Sequence, residues 1–264
     1  MPEGRVEVGG ANGNIMQKSF PLILLLFLSV LAFGEDRTVL HTIPVIIRTI
    51  PHDPHAFTQG LLFHDGYLYE STGLYGQSSL RRVDPTNGKV IKSVPVADVF
   101  AEGLALVDST LVQLTWKEKA ALQYSLSDFR MTGAFSYEGE GWGLTFDGKS
   151  FIMSNGSDTL FRRSSAFALQ KKIPVTVAGR PLMNLNELEF ANGKIYANVW
   201  YNNYIFEIMP LTGKVSKIID CTVIVQKAHT QSQDEVLNGI AYDPKVGTFF
   251  ITGKNWQYMF EVRW

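Results

Sequence analysis

One carboxylate in this chain is placed where it could transfer protons. Glu102 lies in an apolar segment, between Phe100-Ala101 and Gly103-Leu104, so we expect its side chain to be partly desolvated. Desolvation raises the pKa of a carboxylate and suits it to general acid–base catalysis near neutral pH. The alternative is a structural carboxylate paired with a neighbouring lysine.

Metal chemistry is not indicated by the residue types present. His52 and His55 have an H-x-x-H spacing but lie in a proline-flanked loop without an evident third ligand, which is weak support for zinc. The single cysteine, Cys221, excludes a site built from several thiolates and favours a small buried residue. We therefore predict no metal site and no cofactor.

Five similar strand–turn–strand segments must position Glu102 and its partners. Their starts are spaced about 40 to 50 residues apart, a period typical of β-propeller blades. The segments begin at Gln59, Glu102, Trp142, Asn186 and Asn238.

Further strand-like runs after each segment predict four antiparallel strands per blade. The fifth unit ends at Trp264 after only three strands, whereas HTIPVIIRTIPH at 41–52 precedes the first unit. We expect this N-terminal segment to supply the outer strand of the last blade, because ring closure removes exposed sheet edges. The prediction is an all-β, five-bladed β-propeller that forms a single domain over residues 35–264.

Two rings of varied residues are predicted on one face of the propeller. The start of each inner strand and the end of the next strand lie at the same end of the sheet, because the strands are antiparallel. The first ring is Gln59, Glu102, Trp142, Asn186 and Asn238; the second is Gly73, Trp116, Gly156, Trp200 and Lys254.

Neighbouring positions repeat from blade to blade, whereas the two rings do not. Variation confined to one face indicates a functional site. In this arrangement we expect Lys254 to lie across the channel mouth from Glu102. Inter-blade packing is the alternative interpretation for each tryptophan.

The N-terminal residues predict a route through the secretory pathway. An apolar run, 20–33, follows Lys18 and is too short to span a bilayer as a helix, which is typical of a secretory signal peptide. We expect residues 1–34 to be a leader, with Met16 as a possible start, and no stable membrane association after cleavage. An uncleaved anchor is the alternative.

Charge excludes one class of partner. Lys and Arg number 24 and Asp and Glu number 25, giving a formal net charge of −1. A dedicated nucleic-acid binder needs a basic surface, so nucleic acid is not an expected partner.

An ordered series of motifs runs along the predicted propeller. The motifs are HDPHAFTQGL at 52–61, YESTGLYGQSSLR at 69–81, AEGL at 101–104, GWGL at 141–144, LNELE at 185–189, ANVW at 197–200, LNGIA at 237–241 and TGK at 252–254. Together they resemble the plant- and bacterial-type glutaminyl-peptide cyclotransferases from about residue 42 to 264. The leader before Met16 and residues 225–236 have no counterpart in that pattern.

The resemblance implies a secreted five-bladed propeller enzyme that needs no cofactor. Its substrates would be peptides or proteins with N-terminal glutamine, which it converts to pyroglutamate with release of ammonia. The family's catalytic carboxylate, asparagine and lysine match Glu102, Asn186 and Lys254. Its substrate pocket matches Phe57, Gln59, Phe100, Trp116, Trp142 and Trp200. We expect a monomer, located extracellularly or in the vacuole, endoplasmic reticulum or Golgi.

Cyclisation has a simple chemical outline on these residues. Glu102 would take a proton from the attacking amine and deliver it to the leaving nitrogen, while Lys254 or Asn186 stabilises the developing oxyanion. The tryptophans would exclude water and hold the glutaminyl side chain folded for ring closure.

Two other functions remain open at this point. One is a non-catalytic secreted propeller that binds sugar or peptide on an aromatic platform. The other is a glycosidase, which needs two apposed carboxylates and would have to pair Glu102 with Glu187 or Glu189.

Overall fold

The structure is a computed structural model that describes residues 9–10, 39–96 and 98–264. The predicted signal segment, 20–33, and Met16 lie outside these residues. In the part of the chain that is described, no helix has the length and apolar character needed to cross a membrane.

Short β-strands make up almost all of the regular structure. In chain order the elements are β1 (Leu40–Thr42), β2 (Val45–Pro51), β3 (Thr58–His64), β4 (Tyr67–Thr72), β5 (Ser79–Val83), β6 (Val90–Pro95), β7 (Ala101–Val107), β8 (Thr110–Thr115), β9 (Ala120–Ser125), β10 (Met131–Ser136), β11 (Leu144–Phe146), β12 (Phe151–Met153), β13 (Thr159–Arg163), β14 (Leu169–Pro174), β15 (Thr176–Val177), β16 (Arg180–Pro181), β17 (Leu185–Ala191), β18 (Lys194–Val199), β19 (Tyr204–Ile208), β20 (Val215–Asp220), α1 (Thr222–Lys227), β21 (Leu237–Asp243), β22 (Thr248–Gly253) and β23 (Tyr258–Arg263).

Five sheets form the five blades, which confirms the predicted all-β propeller. Blade 1 is β3–β6, blade 2 is β7–β10, blade 3 is β11–β14 and blade 4 is β17–β20, each in sequential antiparallel order. Blade 5 contains β21, β22 and β23. The innermost strands contact one another in the cyclic order β3, β7, β11, β17, β21 and back to β3.

The N-terminal strand closes the ring, as the sequence predicts. β2 pairs antiparallel with β23, so blade 5 has its fourth strand from the opposite end of the chain. Arg48 and Glu261 form an ion pair of 2.6 Å across this seam. Ile50, only 1% exposed, packs in a core cluster with Leu61 and Leu68 of blade 1.

A buried ion pair ties the same segment to blade 1. His52 Nε2 lies 2.8 Å from Glu70 Oε1, and His52 Nδ1 lies 2.8 Å from the carbonyl oxygen of Trp256. Burial alone would lower the pKa of His52, but the charge of Glu70 and their hydrogen bond raise it above its ordinary value. Both ring nitrogens of His52 thus take part in structural hydrogen bonds. His55, the other histidine of the H-x-x-H pair, is exposed.

Three features of the structure lie outside the sequence prediction. β1 adds to blade 4 as a fifth strand, parallel to β20. β15 and β16 form a separate two-stranded hairpin after blade 3. The helix α1 precedes the segment 228–236, which joins blade 4 to blade 5.

Glycines let the inner strands approach one another at one end of the channel. A Cβ atom on Gly60 would lie 2.6 Å from the backbone nitrogen of Leu104 in the next blade, a distance that no side chain tolerates. In blades 1, 2, 4 and 5 the pairing of the inner strand with the second strand is irregular near the start of the inner strand. Such bulges re-aim side chains, and here they occur where the predicted first ring begins.

Two isoleucines of β2 can test whether packing of this strand against blade 1 stabilises the fold. We expect Ile50→Ala to lower the free energy of unfolding by about 2–5 kcal/mol, because it opens a cavity in a packed core. Ile47 is 46% exposed, so Ile47→Ala should change the free energy of unfolding by less than ~0.5 kcal/mol. Urea unfolding of both variants measures the difference, and equal effects would contradict the closing role of β2.

Candidate active site

A cavity of about 160 Å³ opens at the end of the channel where the inner strands begin. Five aromatic and four polar side chains surround it: Phe57, Phe100, Trp116, Trp142, Trp200, Gln59, Glu102, Asn186 and Lys254. The structure thus brings together all nine residues that the sequence predicts for the site. The volume is below the range of about 300–1,000 Å³ typical of drug-sized ligands, so the cavity suits a single side chain.

Two positions in each blade supply most of these groups. Gln59, Glu102 and Asn186 are the second residues of the inner strands β3, β7 and β17, beside the irregular registers. Trp116, Trp200 and Lys254 each directly follow the second strand of their blade. The antiparallel pairing of the two strands therefore places both sets at one end of the channel.

The aromatic walls are two groups of edge-to-face rings. Phe100 lies 6.1 Å from Phe57 and 5.5 Å from Trp116, measured between ring centroids. On the other side Trp142 and Trp200 are 5.6 Å apart at an angle of 87°. Edge-to-face packing fixes the rings more firmly than burial alone, because the aromatic quadrupoles favour this geometry.

Two glycines of the second ring make room for these aromatic side chains. A Cβ atom on Gly73 would lie 2.9 Å from Cζ of Phe100, and one on Gly156 would lie 2.6 Å from the indole of Trp142. Gly156 also has φ of +80°, a conformation that other residues rarely adopt. Blades 1 and 3 thus carry glycine at the position where blades 2 and 4 carry tryptophan.

Glu102 combines burial with an unused hydrogen-bonding atom. It is 4% exposed; its Oε1 accepts a hydrogen bond of 3.0 Å from Gln59 Nε2, and its Oε2 has no partner among the described residues. Burial raises the pKa of Glu102 well above its ordinary value. The charge of Lys254 opposes this shift, and that of Glu140 adds to it.

A chain of amide hydrogen bonds orients Gln59 toward Glu102. Asn238 Nδ2 donates to Gln59 Oε1 at 3.1 Å and to the carbonyl oxygen of Thr58 at 2.9 Å. Because its oxygen is engaged by Asn238, Gln59 presents its amino group to Glu102. The sequence placed Asn238 in the ring but did not include it among the site residues.

Lys254 and Asn186 place further polar groups at the cavity. Lys254 is 5% exposed, and its Nζ lies 4.7 Å from the centroid of the Phe57 ring. Burial lowers the pKa of Lys254, against the raising effect of Glu102. Asn186 Oδ1 is buried and has no hydrogen-bond partner in the described part of the chain. An unpaired buried polar atom is costly unless a ligand satisfies it.

One residue near the aromatic walls was missed by the sequence analysis. Glu140 Oε2 accepts the indole N–H groups of Trp116, at 2.8 Å, and of Trp142, at 3.0 Å. Glu140 belongs to the connection between blades 2 and 3, outside the repeated segments, so the repeat could not identify it. Its only sequence signal is its place two residues before Trp142.

The fallback carboxylates Glu187 and Glu189 point elsewhere. Glu187 is fully buried, and its two oxygens accept backbone N–H groups of Leu61, at 3.2 Å, and Ile240, at 2.9 Å. Glu189 accepts the backbone N–H of Tyr242 at 2.9 Å and lines a different cavity of about 440 Å³. Burial raises the pKa of Glu189 to about 8. Glu187 thus ties together the inner strands of blades 1, 4 and 5.

Comparison with known proteins gives the same result at three levels. The profile of the glutamine cyclotransferase family matches residues 22–264. A glutaminyl-peptide cyclotransferase of Arabidopsis thaliana is 37% identical over 225 residues, which cover 83% of this chain and 70% of the relative.

A solved structure extends the similarity to three dimensions. The crystal structure of Myxococcus xanthus glutaminyl cyclase superimposes with a TM-score of 0.82 at 38% identity, covering 85% of this chain and 97% of the other. The ordered motifs, the propeller and these matches agree over nearly the whole described chain. This chain belongs to the glutamine cyclotransferase family.

Proposed function

We propose that this protein is a glutaminyl-peptide cyclotransferase, which converts the N-terminal glutamine of peptides and proteins to pyroglutamate and releases ammonia. The observation that carries the proposal is Oε2 of Glu102, which no described residue hydrogen-bonds, in an aromatic cavity sized for one side chain. A buried carboxyl with a raised pKa and a vacant oxygen is suited to accept and return a proton.

The reaction balances with a single proton shuttle. The neutral α-amine attacks the side-chain amide carbon, and Glu102 accepts the proton that the amine loses. The same proton passes to the amide nitrogen, the carbon–nitrogen bond breaks, and ammonia leaves. Because the pKa of Glu102 is raised, its carboxylate is a stronger base than a free glutamate.

The other polar groups have separate tasks. As the amine attacks, the amide oxygen gains negative charge, which the Lys254 ammonium can stabilise; such stabilisation is typically worth about 3 kcal/mol. Asn186 Oδ1, which no residue in the described part of the chain hydrogen-bonds, can accept a hydrogen bond from the substrate's amine or amide N–H. Gln59, held by Asn238, keeps Glu102 oriented.

The aromatic walls restrict the conformations of the bound glutaminyl side chain, which lowers the entropic cost of ring closure. A glutaminyl side chain must fold back on its own amine to form a five-membered ring. The edge-to-face rings of Phe100, Trp142 and Trp200 restrict the space in which it can extend. Holding reacting groups in contact can lower a barrier by several kcal/mol.

The remaining parts of the proposal rest on the sequence. The leader at 1–34 supports entry into the secretory pathway, with an extracellular, vacuolar, endoplasmic reticulum or Golgi location. We propose a monomer that has no stable membrane association after cleavage of the leader. Proton transfer and oxyanion stabilisation suffice for the reaction, so we propose that no cofactor takes part.

Ammonia release tests the activity directly. The purified protein should release one ammonia per molecule of a peptide with N-terminal glutamine, and none from the same peptide acetylated on its α-amine. The acetylated peptide is the control because its nitrogen cannot attack. Binding of the peptide without ammonia release would contradict the proposal and favour the non-catalytic binding propeller.

Replacement of the proton shuttle should affect turnover far more than binding. We expect Glu102→Gln to lower kcat by about 10²- to 10⁴-fold with little change in KM, because the amide keeps the shape but cannot accept a proton. Its thermal unfolding should occur at or above the wild-type temperature, since burial disfavours the charged form of Glu102 and the amide is always neutral. Steady-state kinetics and calorimetry measure both effects, and near-normal kcat would reassign the shuttle.

The raised pKa of Glu102 can be observed without turnover. Burial raises the pKa of Glu102, so its carboxyl should stay protonated to a higher pH than that of a free glutamate. The infrared difference spectrum between wild type and Glu102→Gln should therefore contain a protonated carboxyl band, which disappears as the pH rises. A protonated carboxyl band that disappears at the pH typical of a free glutamate would contradict the raised pKa.

A further inference from the structure

The connection between blades 2 and 3 contacts two of the aromatic side chains that line the active-site cavity. It runs from the end of β10 at Ser136 to the start of β11 at Leu144, and Glu140 lies within it. Its last part is fixed close to the cavity, because the N–H of Gly141 donates to the carbonyl oxygen of Trp116 at 3.0 Å. A Cβ atom on Gly141 would lie 2.8 Å from the carbonyl oxygen of Thr115.

Glu140 binds two indoles with one oxygen atom. Its Oε2 is 2.8 Å from Nε1 of Trp116 and 3.0 Å from Nε1 of Trp142. An indole N–H can only donate, and a carboxylate oxygen can accept two such bonds through its lone pairs. Hydrogen bonds to a charged acceptor are roughly twice as strong as neutral ones, so this contact restrains both rings.

The two indoles come from different blades and from opposite wall groups. Trp116 packs on Phe100 in one group, and Trp142 packs on Trp200 in the other. Aromatic packing within each group does not by itself set the distance between the two indoles. The shared contact with Glu140 provides a direct link between them.

We propose that Glu140 is a positioning residue for this active site, whose carboxylate fixes Trp116 and Trp142 relative to each other and so sets the width of the space for the glutaminyl side chain. This inference rests on the proposed function, since it assigns the space to that substrate. Glu140 acts on the substrate through the two indoles and does not itself exchange a proton, although its charge adds to the raised pKa of Glu102.

The expected kinetic effect follows from this geometry. Removal of the carboxylate frees two indoles, so the bound substrate is less well held and its reactive atoms are less well aligned. We expect Glu140→Ala to raise KM about tenfold and to lower kcat by a smaller factor, about threefold. Glu140→Gln keeps a carbonyl acceptor of the same length, and should recover most of the loss in KM.

A nearby glutamate supplies the matched control. Glu138 lies in the same connection, and its side chain is 95% exposed, 3.7 Å from Lys119 Nζ. Glu138→Ala removes the same charge from the same segment without touching either indole. Its KM and kcat should equal those of the wild type.

The indole contact has a spectroscopic signature that is independent of activity. In protein labelled with ¹⁵N-tryptophan, each indole N–H gives its own NMR signal, and Trp116→Phe and Trp142→Phe variants assign the two of interest. Both signals should move in Glu140→Ala, because they lose a charged acceptor, and both should stay in Glu138→Ala. The other indole signals should move less.

The outcomes separate this inference from the proposed function. A wild-type protein that releases no ammonia would contradict the proposed function. An active wild type whose Glu140→Ala variant has unchanged KM, or unmoved Trp116 and Trp142 signals, would overturn the role of Glu140 alone. A rise in KM of equal size in Glu138→Ala would also overturn it, because charge rather than contact would then be the cause.

Discussion

The close approach of the five inner strands at one end of the channel is the constraint on which the site depends. Gly60 permits this approach where any larger residue would meet the backbone at Leu104. At the same level the strand registers shift, which turns the second residue of the inner strand toward the axis. Glu102 is thus brought into the cavity by the same local geometry that closes the ring, so fold and chemistry have one structural origin.

This arrangement places a titratable group where it is expensive to keep charged. Glu102 has a hydrogen bond from Gln59 and the opposite charge of Lys254 at the same cavity, but burial still determines the direction of its pKa shift. A fully paired carboxylate would stabilise the fold more and would be a weaker base. The cost of burying the charged form of Glu102 is therefore only partly offset by its contacts, which favours proton transfer. The stability that β2 adds by closing the ring helps the fold to tolerate this cost.

The sequence predicted the parts of the site that lie within the repeat. Glu102 departs from the repeat at the first ring position, and Trp116 and Lys254 depart from it at the second, so all three were visible without a structure. Glu140 was not predictable in this way because it belongs to a connection whose path depends on tertiary packing. β1 was missed for a related reason, since three residues in a parallel pair carry no alternating pattern. α1 is helical although its segment TVIVQK is rich in β-branched residues, so packing of Ile224 overrides local propensity.

The contacts of Glu140 show that a residue outside the repeat can position side chains from two blades. The repeat can place one side chain per blade on a common face, but the orientation of each side chain, and so the spacing between indoles from different blades, also depends on the contacts that it makes. A residue in the connection is free of the repeat's periodicity and can contact two blades at once. The two indole hydrogen bonds of Glu140 have this character, as they join a residue after β8 to a residue before β11. Substrate fit in such a propeller is therefore expected to depend on connections as much as on the ring residues.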